Sequence, residues 1–141
     1  MKRLLLSAAM ALSVMATPAM AQNADALRAQ LTGQVLNLRG YDDANQRTGE
    51  TVRLQLYDNG AARVRFNAFE GDDGVEGWML WRVSPSGQFC TTFAVQDARG
   101  ALRPDEEEDC LDFRLDGNRI GLNFYGSTGN IDRYSGTLRP M

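Results

Sequence analysis

Gly77-Trp78-Met79-Leu80-Trp81-Arg82-Val83, followed by Ser84-Pro85-Ser86-Gly87 and then Gln88-Phe89-Cys90-Thr91-Thr92-Phe93, is the stretch on which the fold turns. It holds both tryptophans and one of the two cysteines of the chain. The two flanking runs are rich in aromatic and β-branched residues, which suit a pleated, half-buried surface. Between them proline presets φ and glycine supplies a left-handed residue, so the segment reads as a β-hairpin. If all four punctuation residues form the loop, Val83 pairs with Gln88 and Trp81 faces Cys90. A shorter loop shifts that register by one.

Working outward, the same alternation recurs on both sides. Thr51–Tyr57 places Val52, Leu54 and Leu56 on one face. Asp58-Asn59-Gly60 turns the chain, and Ala61–Phe69 brings Ala62, Val64, Phe66 and Ala68 to the same face. A three-residue loop with Gly60 left-handed pairs Leu56 with Ala62, Leu54 with Val64 and Val52 with Phe66, whereas a one-residue slip would bury arginines. That register sets Arg53 opposite Arg65 and Gln55 opposite Arg63 on the outer face. Downstream, Cys110–Leu115 and Asn118–Tyr125 flank Asp116-Gly117, a type I′ turn signal that pairs Phe113 with Ile120, Leu111 with Leu122 and Arg114 with Arg119. Gln34–Arg39 reads as a first strand and Ile131–Leu138 as the last, after a turn at Gly126-Ser127-Thr128-Gly129-Asn130.

The count is about eight short strands. The fold class is all-β: a single small antiparallel meander closed into a barrel or sandwich, with a short N-terminal helix and one disulfide. Asn23 is placed to cap that helix and Gly33 to stop it. Leu27 and Leu31 share one of its faces, so the helix either plugs one end of the β-fold or forms a mobile arm. Gly40–Glu50 reads as a polar loop whose acids do not fall on the EF-hand pattern. Val95–Asp109 reads as a long connection ending in the acidic run Asp105-Glu106-Glu107-Glu108-Asp109, a solvated face rather than a metal site.

The N-terminus fixes the compartment. Met1-Lys2-Arg3, the apolar run Leu4–Met15 and Ala19-Met20-Ala21 form the charged, apolar and small-residue regions of a secretory signal peptide over residues 1–21. Residues 22–141 then form the single mature domain, periplasmic or secreted. The apolar run is too short for a membrane span. In such a compartment Cys90 and Cys110 read as a disulfide closing a loop of about 20 residues. The absence of a C-x-x-C spacing and of any histidine argues against a catalytic or metal-binding thiol pair.

Composition removes whole classes of function. With no histidine, the chain has no Ser-His-Asp or Cys-His catalysis, no histidine metal site and no histidine pH switch. With Lys2 and Arg3 removed, 13 of the 15 bases face 18 acids, a net charge of −5, and all 13 are arginine. An acidic chain without a lysine cluster argues against nucleic acid as a partner. No cofactor or metal is called for, and a monomer is expected.

Leu31-x-Gly33, Tyr57-x-x-Gly60, Gly77, Trp81-x-Val83, Gly87-x-Phe89-Cys90, the later Cys110 and Asp116-Gly117-Asn118 together resemble a family of small periplasmic all-β bacterial proteins catalogued as a domain of unknown function. The resemblance covers most of the mature chain and implies the fold and the compartment. It carries over no catalytic residue.

Three functions remain. The first is an exported, non-enzymatic binding module for a small ligand or a periplasmic protein. Phe66, Trp81, Phe93, Phe113 and Phe124 are candidate lining for the barrel interior or simply its core; Trp78, Trp81, Arg53 and Arg65 are the candidate binding residues. The second is an inhibitor of a secreted protease or cell-wall hydrolase, presenting Glu70–Glu76 or Arg99–Asp109. The third is a hydrolase using carboxylates alone. A deep apolar cavity would favour the first, a filled barrel the second, and two facing carboxylates in a cleft the third. The arginine pairs are neutralised either by the chain's own acids, with Asp105–Asp109 nearest Arg114, or by an anionic partner.

Overall fold

A computed structural model describes residues 16–124 and 133–141; of residues 16–22 and of Phe124 only the backbone is described. The signal-peptide segment therefore lies largely outside the described residues, as does the turn at Gly126–Asn130. The elements are α1 (Ala16–Leu31), β1 (Gln34–Tyr41), β2 (Arg47–Leu56), β3 (Ala61–Asn67), β4 (Val75–Val83), β5 (Phe89–Gln96), β6 (Leu102–Pro104), β7 (Asp109–Asp116), β8 (Arg119–Phe124) and β9 (Tyr134–Pro140). Eight of the strands close into an antiparallel barrel in the cyclic order β1-β2-β3-β4-β5-β7-β8-β9, with β9 returning to β1. The sixth strand is extra. β6 and β7 pair with successive halves of the same edge of β5, Ala94–Gln96 and Phe89–Thr91 respectively. The sequence reading passed over β6 because Leu-Arg-Pro is too short to show a period, and Pro104 suits only an edge strand.

Four hairpins are built on one plan. Asp42, Tyr57, Ser84 and Asp97 each donate their N–H to the carbonyl four residues on, closing loops of three residues. The third loop position is left-handed each time: Asn45, Gly60, Gly87 and Gly100. A side-chain oxygen then satisfies the turn amides. Asp42 accepts from the amides of Ala44 and Gln46, Asn59 from Ala61, Ser84 from Gln88, and Asp97 from Arg99 and Ala101. Two consequences follow for register. Gln55 opposes Arg63 and Arg53 opposes Arg65, as the alternation required. In the central hairpin the shorter loop, Pro85–Gly87, is the one adopted, so Trp81 faces Thr91 and Cys90 faces Arg82.

The β7–β8 hairpin departs from expectation. Its loop residues are Gly117 and Asn118, with Asp116 paired to Arg119, Leu115 to Ile120 and Phe113 to Leu122. Gly117 alone is left-handed, at φ 62°, which is a type II′ turn rather than type I′. The register is displaced by two residues from that predicted. A displacement of two keeps every side chain on its own face, so alternation could not detect it. Arg114 consequently faces Gly121, not Arg119.

The core fills the barrel. Leu36, Leu38, Leu54, Leu56, Val64, Met79, Trp81, Phe89, Leu111, Ile120, Leu122 and Leu138 form one buried cluster, with Val52, Phe113 and Tyr134 packed against it. Phe93, expected among the interior residues, is 48% exposed. Helix α1 plugs one end. Leu31 is fully buried in the same cluster, the Arg28 guanidinium stacks 4.7 Å from the Trp81 ring centroid, and Arg28 donates to the Asp58 carbonyl. The helix begins by Ala16, so Asn23 lies inside it and is not its cap, whereas Gly33, at φ 79°, follows its last turn as expected. Gly136 on β9 is held tightly against β1: a Cβ there would overlap the Asn37 carbonyl oxygen and lie 3.0 Å from Leu38 Cα.

Candidate functional site

Cys90 and Cys110 stand directly opposite each other on β5 and β7 and form the disulfide, Cα–Cα 4.0 Å. Only three residue pairs join these two strands, so the bond staples the narrowest seam of the barrel. A formed disulfide fits an oxidising compartment. Cys90, Cys110 and Glu108 lie together, but both sulfurs are in the disulfide and Glu108 is bound bidentately by Arg82 at 2.6 and 2.8 Å. Of the acidic run that the sequence places nearest Arg114, Glu108 engages Arg82 on β4. Thr92 Oγ1 donates to the Glu106 carbonyl at 2.8 Å and holds the run against β5.

The four candidate binding residues have different fates. Trp81 is a core residue, 3% exposed, whose Nε1 donates to the Tyr57 carbonyl at 2.9 Å. Trp78 is half-buried on the outer face, with Tyr57 at 6.3 Å and the Arg63 guanidinium 5.0 Å from its centroid. Arg65 is engaged at 2.9 Å by Glu76, its ladder neighbour on β4, and donates to the Asp73 carbonyl. Arg63 shares Glu76 at 3.4 Å. Thus the two β3 arginines find their acid one strand further along, at Glu76 on β4. Arg53 is exposed and makes no ion pair among the described residues.

The described carboxylates with shifted proton affinity all shift downward. Backbone amides, Ala68 first, hold Asp72 below the usual carboxylate range; the amides of Arg99 and Ala101 do so for Asp97. Hydrogen bonds from Arg65 and Arg63 lower Glu76, and one from Arg82 lowers Glu108. A general acid needs the opposite shift. Tyr134 moves up, to about 12, chiefly through burial and then through its hydrogen bond to Glu50 at 2.9 Å, and Arg82 moves up through its hydrogen bonds to Glu108.

The troughs on the described surface are open. One of about 490 Å³ runs past Tyr57, Trp78, Leu80 and Leu102. A larger one, about 750 Å³, crosses β1, β9, β8 and β7 and is lined by Arg39, Arg114 and Arg119 together with Asn37, Ser135 and Thr137. The sequence reading missed it, because its residues come from four strands and are neighbours only through the ladder. Comparison with protein-family models, curated proteins and solved structures finds no match to this chain.

Proposed function

We propose that the chain is an exported, non-enzymatic binding module that engages its ligand or partner on the outside of the barrel. The observation that carries this reading is the contrast between the two faces of the sheet. Inside, the chain's own apolar side chains fill the space a ligand would need. Outside, Arg39, Arg53 and Arg119 are exposed and make no ion pair among the described residues, in a chain with an excess of acids. Periplasmic export by the N-terminal segment belongs to the same proposal. Native mass spectrometry of protein recovered from its own periplasm tests it. A retained ligand or partner that dissociates as salt rises is the expected result. Bare protein at every ionic strength, or catalytic turnover, would overturn it.

A second reading, inhibition of a secreted protease or cell-wall hydrolase, has two observations in its favour: the filled barrel and one exposed loop. The loop between β3 and β4 is pinned rather than loose. Asp72 Oδ2 accepts from the Ala68 amide at 2.9 Å and the Asp72 carbonyl from Asn67 Nδ2 at 2.7 Å. That loop presents Phe69, 60% exposed, and leads into Val75, 69% exposed, at the start of β4. Inhibition of an exported hydrolase that is lost in Phe69→Ala would select this reading; inhibition unchanged in Phe69→Ala would remove this loop from it.

A further inference from the structure

We propose that the trough across β1, β9, β8 and β7 binds a ligand bearing a phosphate monoester. This rests on the surface-binding reading above and names the chemistry of the ligand. The ladder builds the site. Arg53, Asn37, Thr137, Arg119 and Asp116 lie in one row across β2, β1, β9, β8 and β7. Arg39, Ser135, Gly121 and Arg114 form the next row. Three strand spacings separate Arg39 from Arg114, about 14 Å, with Arg119 between them in the neighbouring row. The trough of about 750 Å³ is thus lined by three arginines, from β1, β7 and β8. The floor is low because Gly121, in the same outward row, has no side chain and Ser135 is small; Ser135, Thr137 and Asn37 line it with hydroxyl and amide donors.

The charge pattern selects the ligand. Four arginines elsewhere are coupled to the chain's own acids, Arg63 and Arg65 to Glu76, Arg82 to Glu108 and Arg103 to Asp97, while others, Arg53 among them, stand on the surface without an ion pair among the described residues. Arg39 and Arg119 have no such partner among the described residues, although acids are in excess. Among the described residues Asp116 is the one carboxylate lining the trough; it opposes Arg119 in the ladder but forms no ion pair with it. A phosphate monoester carries close to two negative charges at neutral pH and three acceptor oxygens. Guanidinium forks match it with paired hydrogen bonds, and a ligand with a single carboxylate would leave positive charge uncompensated.

The test uses the mature protein and two probes that share the headgroup chemistry. Glycerol 3-phosphate is titrated by calorimetry, with glycerol as the uncharged control. Vesicles of phosphatidylcholine with and without phosphatidic acid are co-sedimented with the protein. Saturable binding of glycerol 3-phosphate assigns a soluble phosphate ester; binding confined to phosphatidic acid vesicles assigns a lipid headgroup. In either arm Arg39→Gln with Arg119→Gln should weaken binding about tenfold or more, the scale of lost hydrogen bonds to a charged group. Arg103→Gln, outside the trough, should leave it unchanged. Arg39→Lys with Arg119→Lys keeps the charge without the fork and should recover only part of the affinity. Matching thermal melts guard against a folding defect. Binding of neither probe, or equal binding by the Gln double variant, overturns the phosphate assignment. Were the periplasmic protein still to carry some other ligand, the surface-binding reading would stand and this assignment alone would fall.

Discussion

Replacing Cys90 and Cys110 together by alanine isolates what the disulfide contributes. The bond links residues 20 apart in sequence. In the chain-entropy account a loop of that length corresponds to about 3 kcal/mol of stability, set by the freedom the unfolded chain regains. For a domain of this size that is a fall in melting temperature of roughly 12 °C. The loss should be felt first where the barrel is narrowest. β5 and β7 share three residue pairs, whereas β7 and β8 share six. Urea unfolding followed by tryptophan fluorescence gives the global figure, since Trp81 is buried in the core and Trp78 is half-buried on the outer face. Hydrogen exchange gives the local one: the amides of Phe89, Thr91 and Leu111 should lose protection before those of β1 and β2. A midpoint unmoved by the double change would refute the entropic argument. Uniform loss of protection across all seams would refute the claim that β5–β7 is the weak one.

Three further outcomes are expected. Gly136→Ala drives a Cβ into the Asn37 carbonyl, backbone against backbone, and should cost more than about 3 kcal/mol or abolish soluble folded protein, read by yield and thermal melting. Leu31→Ala should cost about 2–5 kcal/mol by emptying the fully buried plug, while Asp25→Ala on the exposed side of α1 should move the urea midpoint hardly at all. Asp72, Glu76, Asp97 and Glu108 have folded proton affinities below their ordinary values of 3.8 for aspartate and 4.5 for glutamate. Each therefore adds stability that is present above the unfolded value and lost as pH falls through the folded one, so stability should hold above about pH 5 and decline below it. Glu108→Gln should shallow that decline slightly, since the exposed pair with Arg82 is worth under about 1 kcal/mol.

The β2–β3 pairing was legible because slipping it by one residue would exchange Leu54 and Val64 for arginines in the core. The β7–β8 register was not, because Phe113 reaches the interior whether it meets Ile120 or Leu122. What decides between them is the handedness of Gly117, on which alternation is silent. The turns were better marked than they were read. Asp42–Asn45, Tyr57–Gly60, Ser84–Gly87 and Asp97–Gly100 all end in a residue that tolerates the left-handed region, and noticing the fourth would have revealed β6. The disulfide was legible by elimination, with two cysteines and no competing ligand. The arginine-lined trough was not, because Arg39 and Arg119 become neighbours only when the last strand lies between the first and the eighth.

That insertion of β9 has a consequence for how the chain acquires its shape. β1 is synthesised well before β9, yet one of its edges is completed only by Tyr134–Pro140, beyond which the Met141 amide reaches the Gly33 carbonyl at 3.0 Å. Until the final residues are available, β1 and β8 both hold open rows of backbone donors and acceptors, the arrangement that recruits strands from other molecules. Closure also waits on contacts between the ends of the chain, which places this protein among slow folders dominated by non-local pairing. A barrel that cannot shut before β9 arrives leaves its sheet incomplete for as long as the preceding strands are being made.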